Sequence, residues 1–156
     1  MAKEIERKFL VKSLDFLKKT RGILYIQSYP CTRPGPKVRV RIAGKRGFLT
    51  LKGKSIGRMR DEYEYEIPLI DAQEMLEEFC MKPAIKKVRY LKKFKGFTWE
   101  IDVFQGQNSG LVVAEIELDD ENSKFTRPKW LGKEITNDKR YSNSKLINNP
   151  YKNWKK

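Results

Sequence analysis

Charged and apolar residues alternate in short stretches along most of the chain. In residues 4–11, Glu4, Glu6 and Lys8 occupy every second position, apolar side chains fill most positions between them, and Arg7 is an exception. Because side chains two residues apart point to the same face of a strand, this spacing predicts a β-strand with one charged face.

The same two-residue period predicts about eight strands in total. The further stretches are 25–29, 38–42, 48–52, 62–67, 87–90, 99–103 and 114–119. Glycines at 44 and 47 predict a hairpin turn between two of them, and Pro68 ends another. The turns are mostly short, and nothing resembles a linker, so we expect residues 1–156 to form a single domain.

Two segments have the pattern of helices. Residues 71–81 place Met75, Leu76 and Phe79 at helical spacing, and Asp71 is the expected cap. Ser142 or Asn143 is the expected cap of a short helix through residue 147. The last residues, 149–156, have the pattern of a frayed terminus.

The charged faces carry like-charged residues side by side, which is unfavourable for stability. The acidic pairs are Glu4/Glu6, Glu62/Glu64, Glu100/Asp102 and Glu115/Glu117, and the basic pairs are Arg39/Arg41 and Lys87/Arg89. The charged faces could look outward over an apolar core or inward into a wet lumen. We favour the inward arrangement, in which a ligand would compensate the charges and helices would cover the apolar outer faces.

Amino-acid composition limits the type of partner and the catalytic groups that this chain can use. The 156 residues carry a formal net charge of +14, which predicts an anionic partner. Histidine is absent, which excludes His ligands, His bases and Ser-His or Cys-His nucleophiles. Cys31 and Cys80 lie far apart, and we expect both to be free and structural.

The chain has no apolar run long enough for a membrane span and no apolar segment typical of a signal peptide. We therefore expect a cytoplasmic protein with no membrane partner.

Several of these segments, in this order, resemble the CYTH superfamily, the triphosphate tunnel metalloenzymes. Residues 4–8 match the Glu-x-Glu-x-Lys signature of that family. The other matching segments are 38–41, 50–53, the strand with Glu62, Glu64 and Glu66, 87–90, 99–102, 114–117, 130–132 and 140–143. This chain is most similar to the short bacterial members that act on inorganic tripolyphosphate.

The resemblance implies a fold that is mainly β with flanking helices (α+β). Its centre would be a closed eight-stranded antiparallel barrel, a triphosphate tunnel with a charged lumen. It also implies hydrolysis of inorganic tripolyphosphate, with nucleoside triphosphates as secondary substrates and Mg²⁺ or Mn²⁺ as cofactor.

The resemblance also assigns site residues. The expected substrate-binding residues are Lys8, Arg39, Arg41, Lys52, Lys87 and Arg89, whose cationic groups suit phosphate oxygens. The expected metal ligands are Glu4, Glu6, Asp102, Glu115 and Glu117, because hard divalent cations prefer oxygen. For catalysis we name Glu117 to orient water, Lys87 to assist the leaving phosphate, and Lys8 for either task. Glu62, Glu64 and Glu66 would hold basic side chains. Tyr29 and Tyr90 are expected to pack, and the alternative for Tyr29 is a hydroxyl in the lumen.

Three alternatives stay open. On the same fold, the protein could be a class IV adenylate cyclase or a thiamine triphosphatase. From another class, it could be a non-catalytic module that binds polyphosphate or RNA. Nucleic acid is disfavoured because the aromatic residues alternate out of phase with the basic ones, whereas single-strand binders interleave them. A homodimer is an open option.

Overall fold

The protein, as a computed structural model, is described here for residues 3–54, 56 and 59–154, with the backbone alone for residues 3 and 4. Nine strands lie within these ranges. They are β1 (Lys3–Val11), β2 (Ile23–Ser28), β3 (Lys37–Ala43), β4 (Arg46–Lys52), β5 (Met59–Ile67), β6 (Ile85–Phe94), β7 (Phe97–Phe104), β8 (Val112–Glu117) and β9 (Leu131–Glu134).

The sheet closes into an antiparallel barrel of eight strands. Their order is β5-β4-β3-β2-β6-β7-β8-β1, and the first residues of β1 pair back to β5 through Ile5 and Met59. Strand β9 is an addition that pairs with β1 beyond this closure. The predicted fold class, a closed eight-stranded barrel with flanking helices, is confirmed.

Strand phase places the charged residues inside the barrel. Residues directly opposite each other in paired strands share a face. Lys8 lies opposite Glu115, and Arg89 lies opposite Asp102. Arg39 and Arg41 are buried and line the internal cavity. The inward arrangement of the charges is therefore confirmed.

Segments outside the barrel cover part of its apolar outer surface, whereas outward-facing residues such as Leu51 and Tyr65 stay exposed. Phe9, Trp99 and Ile101 are fully buried on the outer side, beneath Phe125 and Trp130. Arg7, the exception in the first strand, shares this face and pairs with Glu134 of β9, which explains the break in the alternation. Strand β9 was not predicted as a strand.

Helix α1 (Leu69–Glu78) covers the outer side of β3 and β4. Ala72 is completely buried there. Gly47 of β4 lies so close that a Cβ on it would stand 2.7 Å from the Cβ of Ala72. The predicted cap is wrong, because the helix begins two residues before Asp71. Pro68 stands at the cap position, and its carbonyl accepts a hydrogen bond from the amide of Ala72.

The predicted hairpin turn is shorter than expected. The turn consists of Gly44 and Lys45, since Ala43 and Arg46 are already paired. Gly44 has a φ of +62°, a left-handed conformation that glycine adopts without strain.

The end of the chain fills one end of the barrel with apolar side chains. Helix α2 (Asn143–Asn148) begins after Ser142, whose side chain accepts a hydrogen bond from the amide of Lys145, so the predicted cap is confirmed. Leu146 packs against Phe104 and Val113, both at inward positions of their strands. The prediction of a frayed terminus is wrong as far as residue 154, because Tyr151 and Trp154 pack against the same apolar cluster.

Helices of the described segments are all too short or too polar to cross a bilayer.

Candidate anion-binding site in the barrel

The inward side chains of the barrel surround a cavity of about 750 Å³. This volume lies within the range of small-molecule sites. Among the described lining residues, eleven are lysine or arginine and six are glutamate. The predicted site residues that line it are Glu6, Lys8, Arg39, Arg41, Lys52, Lys87, Arg89, Glu115 and Glu117. The cavity therefore carries a surplus of positive charge.

Strands β3, β4 and β5 supply one wall. Arg39 is 5% exposed, and its Nη2 atom donates to the carboxylate of Glu64 at 3.3 Å and lies 3.7 Å from Glu62. Lys52 lies 3.9 Å from Glu62. These contacts confirm that Glu62 and Glu64 hold basic side chains, whereas Glu66 pairs with Arg46 and does not line the cavity.

The Nε atom of Arg39 is buried without a hydrogen-bond partner in the described part of the chain. A buried donor without an acceptor costs about 1–3 kcal/mol. Such a donor in a basic cavity suits an anionic ligand that supplies acceptor oxygens.

Strands β6 and β7 supply the opposite wall. Asp102 is 1% exposed and accepts two hydrogen bonds from Arg89, at 2.7 and 2.9 Å. Its Oδ2 atom also lies 2.7 Å from Nζ of Lys87. Arg89 further donates to Glu100 at 2.8 Å.

The two cations of this wall have opposite pKa shifts. Burial is the main reason that the pKa of Lys87 falls to about 7; Arg89 and Arg41 lower it further, and Asp102 opposes them. Burial also acts to lower the pKa of Arg89, but Asp102 and Glu100 raise it well above its usual value. Burial acts to raise the pKa of Asp102, yet Lys87 and Arg89 lower it to about 2.

Strands β1 and β8 contribute neighbouring carboxylates. Glu6 lies opposite Glu117 and Lys8 lies opposite Glu115. Nζ of Lys8 is 3.5 Å from Glu115 and 3.8 Å from Glu6. Burial favours a neutral Glu115, but Lys8 and then Arg89 hold its pKa well below the usual value. Burial likewise opposes the charge of Lys8, and Glu115 and Glu6 nevertheless raise its pKa.

This carboxylate group fits a hard divalent cation. Glu6, Glu115 and Glu117 offer oxygen ligands side by side on two paired strands. Within the described residues, no group of three or more acidic, His or Cys side chains is close enough together to hold a metal ion by itself. Mg²⁺ is usually held by one or two carboxylates together with substrate phosphates, so a partial protein ligand set is what such a site requires.

Two predicted ligands stand apart from this group. Asp102 does not line the cavity, because its oxygens face Lys87 and Arg89. Glu4 lies in β1, but its side chain is outside the described residues. The roles of both residues as ligands stay predictions.

The structure places three uncharged side chains at the cavity, two of which sequence reasoning missed. Tyr29 takes the lumen position that we named as its alternative, and its hydroxyl accepts a hydrogen bond from Gln27. Tyr90 does pack on the outer side, as expected. Gln27 and Asn143 also line the cavity. Gln27 and Tyr29 lie two residues apart on a predicted strand and therefore share a face, but neither carries the charge by which the other lumen residues were predicted. Asn143 lies outside the strands and so has no such pattern.

Fold and site together define a closed barrel with a basic internal cavity and neighbouring carboxylates. The chain belongs to the CYTH family, since the CYTH domain matches residues 2–149.

Individual relatives agree with this family. The chain is 53% identical over 155 residues to an inorganic triphosphatase of Acetivibrio thermocellus, and the match covers 99% of both chains. It is 37% identical over 147 residues to an inorganic triphosphatase of Nitrosomonas europaea, covering 92% of this chain and 95% of the relative. The solved structure of the inorganic triphosphatase NE1496 superposes with a TM-score of 0.67 at 34% identity, covering 92% of this chain and 96% of that one.

Proposed function

We propose that this protein is a metal-dependent inorganic triphosphatase that hydrolyses a phosphoanhydride bond of tripolyphosphate inside its barrel. The observation that carries the proposal is the cavity, whose described lining has eleven cationic side chains and an unpartnered buried donor on Arg39. The two curated relatives named inorganic triphosphatase support it.

Substrate binding is assigned to the cations of three walls. Arg39, Arg41 and Lys52 come from β3 and β4, Lys87 and Arg89 from β6, and Lys8 from β1. Arginine forks bind phosphate oxygens in pairs, and the lysines act as point charges. Held in place around the cavity, these groups would also stabilise charge that develops during cleavage.

The cavity reaches the surface of the protein, because exposed residues such as Pro34 and Lys54 are among its lining. The phosphate chain would enter beside these residues. Nucleoside triphosphates are secondary substrates in this proposal, with the nucleoside directed towards that opening.

Three residues carry the catalytic assignments. Glu117 orients the attacking water, Lys87 assists the departing phosphate, and Lys8 contributes to either step. Their support is geometric, since all three line the cavity from different strands. Lys8 is held by the carboxylates of Glu115 and Glu6, which fixes it beside the ligand group.

The triphosphatases of the CYTH family are metal-dependent in general. We propose Mg²⁺ or Mn²⁺ as the cofactor here, held by Glu6, Glu115 and Glu117, with Glu4 and Asp102 as further ligands. When bound, the ion would supply positive charge for the phosphates and a water molecule of lowered pKa, chemistry that does not require histidine.

A cytoplasmic location and a homodimer stay predictions. The location is supported by the two free thiols, Cys31 and Cys80, which suit a reducing compartment.

A substrate panel tests the proposed function. Phosphate release would be measured from tripolyphosphate, ATP, thiamine triphosphate and pyrophosphate, each with Mg²⁺, with Mn²⁺ and with EDTA. We expect tripolyphosphate to be the fastest substrate, pyrophosphate to be poor, and EDTA to abolish turnover. Cyclic AMP formed from ATP would identify a cyclase instead. Binding of polyphosphate or RNA without metal-dependent release from any substrate would identify a binding module.

A further inference from the structure

One uncharged residue from outside the barrel strands contacts the basic groups of the cavity. Asn143 is the first residue of α2 and lines the cavity. Its Oδ1 atom accepts a hydrogen bond from Nζ of Lys87 at 3.0 Å and another from Nε2 of Gln27 at 3.1 Å. The lysine ammonium can only donate, so the amide oxygen of Asn143 must point towards it.

Gln27 extends this contact to a second cation. It is 1% exposed, and its Oε1 atom accepts a hydrogen bond from Nε of Arg41 at 2.7 Å. The guanidinium also only donates, so the orientation of Gln27 is fixed from both sides. A chain of hydrogen bonds therefore joins Arg41, Gln27, Asn143 and Lys87.

The position of Asn143 is itself fixed by the packing of α2. Ser142 caps the helix, and Leu146, which is 1% exposed, anchors it in the apolar cluster at the end of the barrel. The amide oxygen is therefore presented to the cavity by an element outside the strands that carry Lys87 and Arg41.

Lys87 is held from two directions. One acceptor is Asp102 of β7 at 2.7 Å, and the other is Asn143 of α2 at 3.0 Å. With the second acceptor removed, the ammonium would be held by the carboxylate alone and could turn about that single contact, so its position at the cavity would no longer be fixed.

We propose that Asn143 is a positioning residue of the reaction, which together with Asp102 fixes the ammonium of Lys87 at the cavity. This inference rests on the proposed function, in which Lys87 assists the departing phosphate. Asn143 does not act on substrate itself. Its contribution depends on one acceptor oxygen, because both of its hydrogen bonds are accepted there.

Two substitutions at this position separate the oxygen from the shape of the side chain. Asn143→Leu has a similar shape and no acceptor, whereas Asn143→Asp keeps an acceptor oxygen and suits the first turn of a helix. The matched control is Asn149→Leu, an exposed residue just beyond α2. Rates would be measured with tripolyphosphate and Mg²⁺.

We expect Asn143→Leu to lower kcat about 10- to 100-fold, as misplacement of a reacting group by about 1 Å does. KM should change less than kcat, since the phosphate-binding arginines remain. Asn143→Asp should recover most of the lost kcat, and Asn149→Leu should equal the wild type. Calorimetry without metal should find that tripolyphosphate affinity of the Asn143→Leu protein stays within a few-fold of the wild type.

The inference is overturned if Asn143→Leu matches Asn149→Leu in kcat, or if Asn143→Asp loses as much as Asn143→Leu. Should Asn143→Leu fail to fold, judged by its thermal unfolding, Asn143→Ala replaces it with the same expectation and the same overturning result. Lys87→Met separates the two proposals. If Lys87→Met is fully active, the catalytic role of Lys87 is wrong, and so is this inference. If Lys87→Met is inactive but Asn143→Leu is fully active, only this inference is wrong.

Discussion

At the scale of single residues, the lumen tolerates adjacent like charges because each wall contains charges of both signs. Arg39 contacts Glu62 and Glu64, Arg89 contacts Asp102, and Lys8 contacts Glu115. A buried charge without a partner of opposite sign would be costly, and these contacts reduce that cost. The surplus that remains is positive, and a triphosphate with its metal ion would balance it.

Arg39 is the residue whose removal tests the anion site most directly. We expect Arg39→Ala to lower kcat/KM at least 100-fold. The substitution removes a hydrogen-bond donor to the phosphate, and removal of one such donor typically lowers the rate about 10²- to 10³-fold. The fold should be largely intact, since the change also removes the repulsion between Arg39 and Arg41. Phosphate release and thermal unfolding would be measured together.

Arg46→Ala is the control for this substitution. Arg46 pairs with Glu66 across β4 and β5, much as Arg39 pairs with Glu64, but it is exposed and does not line the cavity. It should keep wild-type activity. Equal rates in the two variants would show that the site lies elsewhere.

At the scale of elements, strand phase could be predicted from the sequence, because a two-residue period with charged residues on one face matches the side-chain repeat of a strand and not that of a helix. Strand β9 could not, since four residues without charge alternation show no period, and their place depends on covering β1. The start of α1 was predicted wrongly because Asp71 is a residue type that commonly caps helices. In the structure, β5 ends at Ile67, Pro68 takes the cap position, and the helix begins at the next residue.

The residues of the candidate site also differ in whether the sequence could predict them. The inward charges followed from the strand pattern, and the family resemblance assigned their roles. Asn143 could not be found in this way, because an amide in an irregular tail carries no periodic signal. Its importance depends on where Leu146 anchors α2, which is a property of tertiary packing.

The contact between α1 and β4 gives a prediction at this scale. We expect Gly47→Ala to lower the free energy of unfolding by about 1–3 kcal/mol, because its Cβ would overlap that of Ala72 and the helix would have to move outward. Chemical denaturation would measure the change. Gly53→Ala is the control, since its Cβ would meet Asp61 only at ordinary contact distances, starting at 3.5 Å. Equal stability of the two variants would contradict this account of the packing.

At the scale of the whole molecule, the charge of +14 and the charge of the cavity are different quantities. Many lysines lie on the exterior, among them Lys18 and Lys19, which are exposed between β1 and β2. Exposed charges act over about 8 Å at physiological salt but about 30 Å at 0.01 M. The exterior field should therefore reach an anion in the cavity only at low ionic strength.

The double substitution Lys18→Glu and Lys19→Glu tests this separation, because it lowers the formal charge from +14 to +10 without touching the cavity. The dissociation constant of tripolyphosphate would be measured by calorimetry without metal. We expect it to rise about 2- to 5-fold at 0.01 M ionic strength and to equal that of the wild type at 0.15 M, where screening removes the exterior contribution. Lys18→Arg with Lys19→Arg keeps the charge and should match the wild type in both conditions. A loss of affinity that persists at 0.15 M would mean that the anion is bound by the outer surface as well as by the barrel.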